Sequence, residues 1–127
     1  NVIIVTSFNP GSGKSFLTMN IAVSFAIKGK KVLVIDGDLR HGSASSYIDS
    51  PTKGLSDYLG GRIDNLNEII VTNPKQKYLD ILPVGTIPPN PTELLFDDRL
   101  KQVIDTVREQ YEYVLIDCPP IELCRIA

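Results

Sequence analysis

The 127-residue sequence predicts an α/β domain of three layers, a mainly parallel sheet flanked by helices. Two observations carry this. Three short apolar runs, Val2 to Val5, Lys31 to Ile35 and Tyr113 to Ile116, are rich in β-branched residues and lack polar alternation. Strands buried on both faces of a parallel sheet read this way. Helical patterns alternate with these runs, and the main polar clusters fall at the runs' carboxyl ends, where such sheets bind ligands.

Val2 to Val5 opens the pattern. Ser15 to Lys28 follows as a helix that is apolar around most of its surface and is stopped by Gly29. Lys31 to Ile35 is the second strand. From Gly42 to Lys77 the chain is polar and broken by Pro51, Gly54, Gly60, Gly61 and Pro74, with "GLSDYL" and "NLNEII" as short helices. Leu79 to Leu82 is a further strand candidate. In "NPTELL", Asn90 is placed at an N-cap, Pro91 at the first helical position and Glu93 three residues after the cap, which suits a helix start. Leu100, Val103, Ile104 and Val107 then recur at i, i+3, i+4 and i+7, one buried face of a helix with Asp97 as its N-cap. Tyr113 to Ile116 is the last strand. The chain opens one residue before its first strand and stops soon after its last, so part of a larger domain, cut at both ends, is expected.

Composition excludes several classes. Hydrophobic residues make up 43% and charged residues 22%, an ordinary globular balance. A net charge of −2 without a basic run argues against nucleic acid as a partner. Cys118 and Cys124 are too far apart for a Cys-x-x-Cys pair, lack companion ligands, and read as reduced thiols. No apolar run approaches the ~20 residues of a membrane helix, and no signal peptide is expected. There is no internal repeat.

"PGSGKS", residues 10 to 15, leaves a strand and enters a helix, the context a phosphate-binding loop requires. Gly11 and Gly13 let backbone N–H groups turn inward and admit a polyphosphate without a Cβ in the way. The helix start adds the positive end of its dipole. Lys14 supplies a point charge for the outer phosphates, and the Ser15 hydroxyl suits a magnesium ligand. Phe8 stands where the common eight-residue form begins with glycine, so the loop enters by a different path.

"VLVIDGDLRHG" ends its strand in Asp36, Gly37 and Asp38, followed by Arg40, and "YEYVLIDCPP" ends its strand in Asp117. If the extended path persists one step, Asp36 and Asp38 share one side. Strand-end aspartates also cap turns. Three carboxylates beside a phosphate loop, however, repel one another unless a cation sits among them, and Mg²⁺ resolves that. Arg40 could anchor a phosphate, pair with a carboxylate or contact a neighbouring subunit. His41, the only histidine, reads as a surface residue.

These motifs, with "LPVGTIPPNPTELL", are similar in order and over nearly the whole chain to the bacterial tyrosine kinases, the cytoplasmic kinase domains of capsule and exopolysaccharide chain-length regulators. The resemblance implies a P-loop NTPase-like fold with Walker A at Gly11, Ser12, Gly13, Lys14 and Ser15, flanked by Pro10 and Phe16 as further nucleotide contacts. It places Walker A′ at Asp36, Asp38 and Arg40, and the Walker B aspartate at Asp117. It implies ATP and Mg²⁺ as cofactors, with Ser15, Asp38 and Asp117 around the metal, and tyrosine hydroxyls as acceptors. Lys14, Asp36, Asp38 and Arg40 form the expected catalytic set, Asp36 handling the tyrosine proton as the carboxylate freest to face an acceptor. Implied partners are further copies in a ring, a transmembrane chain-length-determinant segment (fused or separate), polysaccharide-export machinery and a protein tyrosine phosphatase, on the cytoplasmic side of the bacterial inner membrane.

Departures from the family pattern are equally specific. The tyrosine-rich C-terminal tail and the helix before the first strand are missing from this sequence. "RHG" replaces a basic pair and proline. Tyr47, Tyr58 and Tyr78 read as ordinary, partly buried positions. Related partition and septum-positioning ATPases carry a lysine where Asn9 stands, so its absence favours the kinase branch. A switch ATPase and a nucleotide-gated scaffold of the export complex without catalysis are the alternatives.

Overall fold

In the computed structural model, residues 1–5, 14–39, 44–87, 89 and 98–117 are described, with Lys14 and Ser15 as backbone only. The predicted sites Pro10 to Gly13, Arg40, His41, Asn90 to Leu95, Asp97, Cys118 and Cys124 lie outside them.

The chain runs β1 (Val2–Val5), α1 (Lys14–Ile27), β2 (Val32–Asp36), a 3-10 turn (Ser45–Ile48), α2 (Leu55–Leu59), a second 3-10 turn (Leu66–Glu68), β3 (Val71–Thr72), β4 (Leu79–Leu82), α3 (Asp98–Val107) and β5 (Tyr113–Asp117). The sheet order is β1-β5-β2-β4-β3. Pairing is parallel except for the short β3, which runs antiparallel to β4. The sequence shows no strand at Val71–Thr72, because two residues carry no periodicity. "NLNEII" forms a 3-10 turn rather than an α-helix.

Alternation along the strands builds the three layers. Val32 and Val34 of β2 and Leu115 of β5 meet Met19, Ala22 and Ala26 of α1 on one face. Leu33, Ile35, Val114 and Ile116 meet Leu100, Val103, Ile104 and Val107 of α3 on the other. The predicted i, i+3, i+4, i+7 face of α3 is thus the buried one. Helix α1 is less enclosed than its sequence implies: Phe16, Leu17 and Ile27 are more than half exposed, since only one side of it meets the sheet. Tyr47 and Tyr78 are likewise exposed, a correction to their expected partial burial, whereas Tyr58 is half-buried.

Gly29 ends α1 with φ +81°, donating to Ala26 O, while Lys30 donates to Phe25 O. This is a Schellman termination, with glycine at its left-handed position. The turn delivers the chain to the amino end of β2. Helix α1 therefore runs back down the sheet, and its N-terminus stands at the carboxyl edge of the strands.

Candidate functional site

Three strands finish level with one another at that edge. Val5 of β1 is the register partner of Asp117, and Asp117 is the partner of Asp36. Beyond the ladder, Gly37 N–H donates to the Asp117 carbonyl at 2.7 Å. Because alternate residues share a face, Asp36 follows Val32 and Val34, and Asp117 follows Leu115, onto the α1 side. β1 ends in this row at Val5, and α1 begins at the same edge of the sheet.

Both carboxylates are fully buried. Asp36 is held on all sides. Its Oδ2 accepts the Ser45 amide at 2.8 Å and the Ser45 hydroxyl at 2.6 Å, and its Oδ1 accepts the Asp38 amide at 3.1 Å. Burial pushes its pKa from 3.8 up to about 6; the Asp117 charge adds to the rise, and the hydrogen bonds from Ser45 and Asp38 oppose it.

Two expectations are corrected. Strand β2 ends at Asp36, so the extended path does not persist to Asp38; the chain turns back there, with the Asp38 amide on the Asp36 carboxylate. Asp36 is also not the freest carboxylate. Asp38 is 9% exposed against 0% for Asp36. The row thus brings Asp36 and Asp117 together with Asp38 adjoining, while Gly11 to Gly13 and Arg40 lie outside the described residues and of Lys14 and Ser15 only the helical backbone is described.

The donor set fits Mg²⁺. The buried Asp38 and Asp117 carry hard oxygen ligands, and this ion takes one or two carboxylates and completes its shell with water and phosphate. Among the described residues no three acidic, histidine or cysteine side chains stand close enough together to hold a metal ion, so the expected convergence of Asp36, Asp38 and Asp117 on one cation is not seen there.

Sequence reasoning missed Ser45. It lies in "GSASSYI", a tract without a distinguishing signal, and its partners Asp36 and Val84 are 9 and 39 residues away. It also passed over the role of Asp57. In α2 the Asp57 carboxylate caps the helix start at Gly54 N (2.9 Å) and binds Thr86 N (3.4 Å) and Arg62 (3.1 Å). Burial raises its pKa, but the Gly54 amide, Arg62 and Thr86 outweigh that and hold it below the usual range. An aspartate three residues after the "G" of "GLSDYL" is the readable signal for this cap. A separate cleft of about 230 Å³, lined by Tyr58, Leu66, Ile70 and Val107 among others, lies on the α3 face and shares no residue with the acidic row.

The profile of the AAA domain family matches residues 1–124. The tyrosine-protein kinase Etk of Escherichia coli is 39% identical over 122 residues, 95% of this chain and 16% of that protein. Tyrosine-protein kinase CpsD of Streptococcus pneumoniae is 40% identical over 94% of this chain and 53% of its own length. The solved kinase domain of E. coli Etk superposes with a TM-score of 0.92 at 35% identity, covering 99% of this chain and 51% of that one. The septum site-determining protein MinD of Pyrococcus horikoshii, solved with Mg-ADP, superposes at 0.76 with 31% identity over 94% of this chain and 49% of its own. The chain thus spans about half or less of each. Matched along nearly its whole length, it belongs to the AAA domain family and is similar in sequence and fold to these bacterial tyrosine-kinase domains.

Proposed function

We propose that this chain is the nucleotide-binding part of an ATP-dependent protein tyrosine autokinase that regulates capsule or exopolysaccharide biosynthesis. The observation that carries the reading is the row of Val5, Asp117 and Asp36 at the carboxyl edge, where α1 begins. That is where a phosphate loop between β1 and α1 would present its ligand to two carboxylates.

Phosphoryl transfer needs positioning and charge neutralisation more than covalent work from the protein. Lys14 and the Gly11 to Ser15 amides hold the β- and γ-phosphates, with Pro10 and Phe16 flanking. Mg²⁺, when bound, neutralises charge developing on the phosphates, and Ser15, Asp38 and Asp117 are the residues to hold it. Asp36 takes the proton-handling role. Burial raises its pKa to about 6, near working pH as a general base requires. Arg40 stands beside this set as an anchor for phosphate or a neighbouring subunit.

The whole protein is proposed to work as a ring of copies at the cytoplasmic face of the inner membrane. There it acts with a chain-length-determinant segment and the export machinery, and a tyrosine phosphatase reverses the modification. Among the described residues no helix is long and apolar enough to cross a membrane, so any span would come from elsewhere. The likeness to MinD favours a switch ATPase as the second reading.

Mass spectrometry of the full-length protein after incubation with Mg-ATP tests both. Phosphotyrosine that disappears in Lys14→Met supports the kinase. ATP hydrolysis without phosphotyrosine supports the switch, and undiminished phosphotyrosine in Lys14→Met overturns the site.

A further inference from the structure

The Ser45 hydroxyl has one proton to give, and its surroundings fix where that proton points. Val84 N–H reaches Ser45 Oγ at 2.8 Å, and an amide N–H can only donate. Ser45 Oγ must therefore accept from Val84 and turn its own proton onto Asp36 Oδ2, 2.6 Å away. The Ser45 amide points at the same oxygen from 2.8 Å. Both donors converge on Oδ2, and the Asp38 amide adds a third bond to Oδ1 at 3.1 Å, so the plane of the carboxylate is set. Oδ1 is left as the oxygen turned to the Asp38 side of the row. Ser45 is 3% exposed, so water does not stand in for either contact.

We infer that Ser45 is a positioning residue for the reaction: its hydroxyl and amide clamp Asp36 Oδ2 and aim Oδ1 at the reacting groups, with Val84, two residues beyond β4, fixing the direction of the clamp. This rests on the role given to Asp36 above. Ser45 itself touches neither nucleotide nor acceptor. It also ties the acidic row to the neighbouring strand. Val84 O accepts the Ser56 amide at the start of α2, so a hydrogen-bonded chain runs from Asp36 through Ser45 and Val84 to α2.

The test compares full-length wild type, Ser45→Ala and Ser45→Thr for phosphotyrosine formation from Mg-ATP, with KM for ATP and melting temperature measured on each. A group misaimed by a fraction of an ångström to an ångström loses up to about 100-fold in rate. Ser45→Ala is expected to lower kcat about 10- to 100-fold with KM for ATP within about twofold, and Ser45→Thr, which keeps the hydroxyl, to recover most of the loss. The inference is overturned if Ser45→Ala keeps wild-type kcat, or if kcat and KM change together in both variants in step with a fall in melting temperature. If Ser45→Thr does not fold, the Ser45→Ala split between kcat and KM decides alone. Wild type that forms no phosphotyrosine overturns the kinase reading and this role with it, an outcome distinct from an active wild type matched by its alanine variant.

Discussion

Asp36 and Asp117 are register partners on adjacent parallel strands, both buried and both turned to the α1 face. Two like charges so placed resist ionising together, and the protein bears that cost whenever no cation is bound. In Asp36 burial is the larger cause and the Asp117 charge a lesser one, and together they raise its pKa from 3.8 to about 6. The folded state therefore binds this proton more tightly than the unfolded chain does. The stability from Asp36 is full below about pH 4 and is lost as pH rises through about 6. A rise of about 2.2 units corresponds to about 3 kcal/mol. Denaturant titrations without Mg²⁺ or nucleotide should show a falling contribution between pH 4 and 7 that Asp36→Asn flattens. Identical slopes in the two proteins would show that Asp36 titrates normally.

Asp57 acts in the opposite sense, because its pKa is held low by its donors. Its stabilisation is present above about pH 4 and is lost as pH falls below that. Asp57→Ala would leave the buried Gly54 amide without an acceptor and remove that of the part-buried Thr86 amide, and is expected to cost about 1–3 kcal/mol. Arg62→Ala removes the other half of the ion pair, but the Arg62 side chain is 57% exposed. Its loss should cost under about 1 kcal/mol. Chemical denaturation at pH 7 distinguishes the two, and equal losses would mean that the ion pair, not the cap, holds α2.

Much of this arrangement was legible in the sequence, for a physical reason. Parallel strands buried on both faces must be continuous apolar runs, so β2 and β5 announce themselves, and aspartates closing such runs must lie at one edge; β1 is as apolar, but at an end of the described sheet it is only half-buried, which corrects its expected burial on both faces. Periodicity located α3 and its buried face equally well. What stayed hidden depends on contacts distant in sequence. Nothing near Ser45 tells of Asp36 or Val84, and β3 is too short to show a period. Nor can a local pattern show that the Asp38 amide turns back onto the Asp36 carboxylate. The exposed Phe16, Leu17 and Ile27 mark the same limit from the other side: composition says that a helix is apolar but not how many of its faces find a partner.

Gly54 and Gly85 bring two backbones into direct contact where α2 meets the end of β4. Leu55 N–H donates to Pro83 O at 2.7 Å and Ser56 N–H to Val84 O at 2.9 Å, while the Ser56 hydroxyl bonds Thr86 O. A Cβ on Gly54 would stand 2.6 Å from Gly85 N and closer still to Pro83 O, all backbone atoms that cannot swing aside. Gly85 also carries φ +80°, a conformation side chains disfavour. Gly54→Ala must therefore push α2 away from the strand end and break those bonds, which is expected to cost at least about 3 kcal/mol. Gly29→Ala is the control. Its φ is +81°, but nothing lies within 4 Å of the added carbon, so only the backbone term of about 1 kcal/mol applies. Thermal unfolding of the two variants should separate them clearly. A Gly54→Ala protein as stable as Gly29→Ala would mean that the α2 contact with residues 83–86 is not tight.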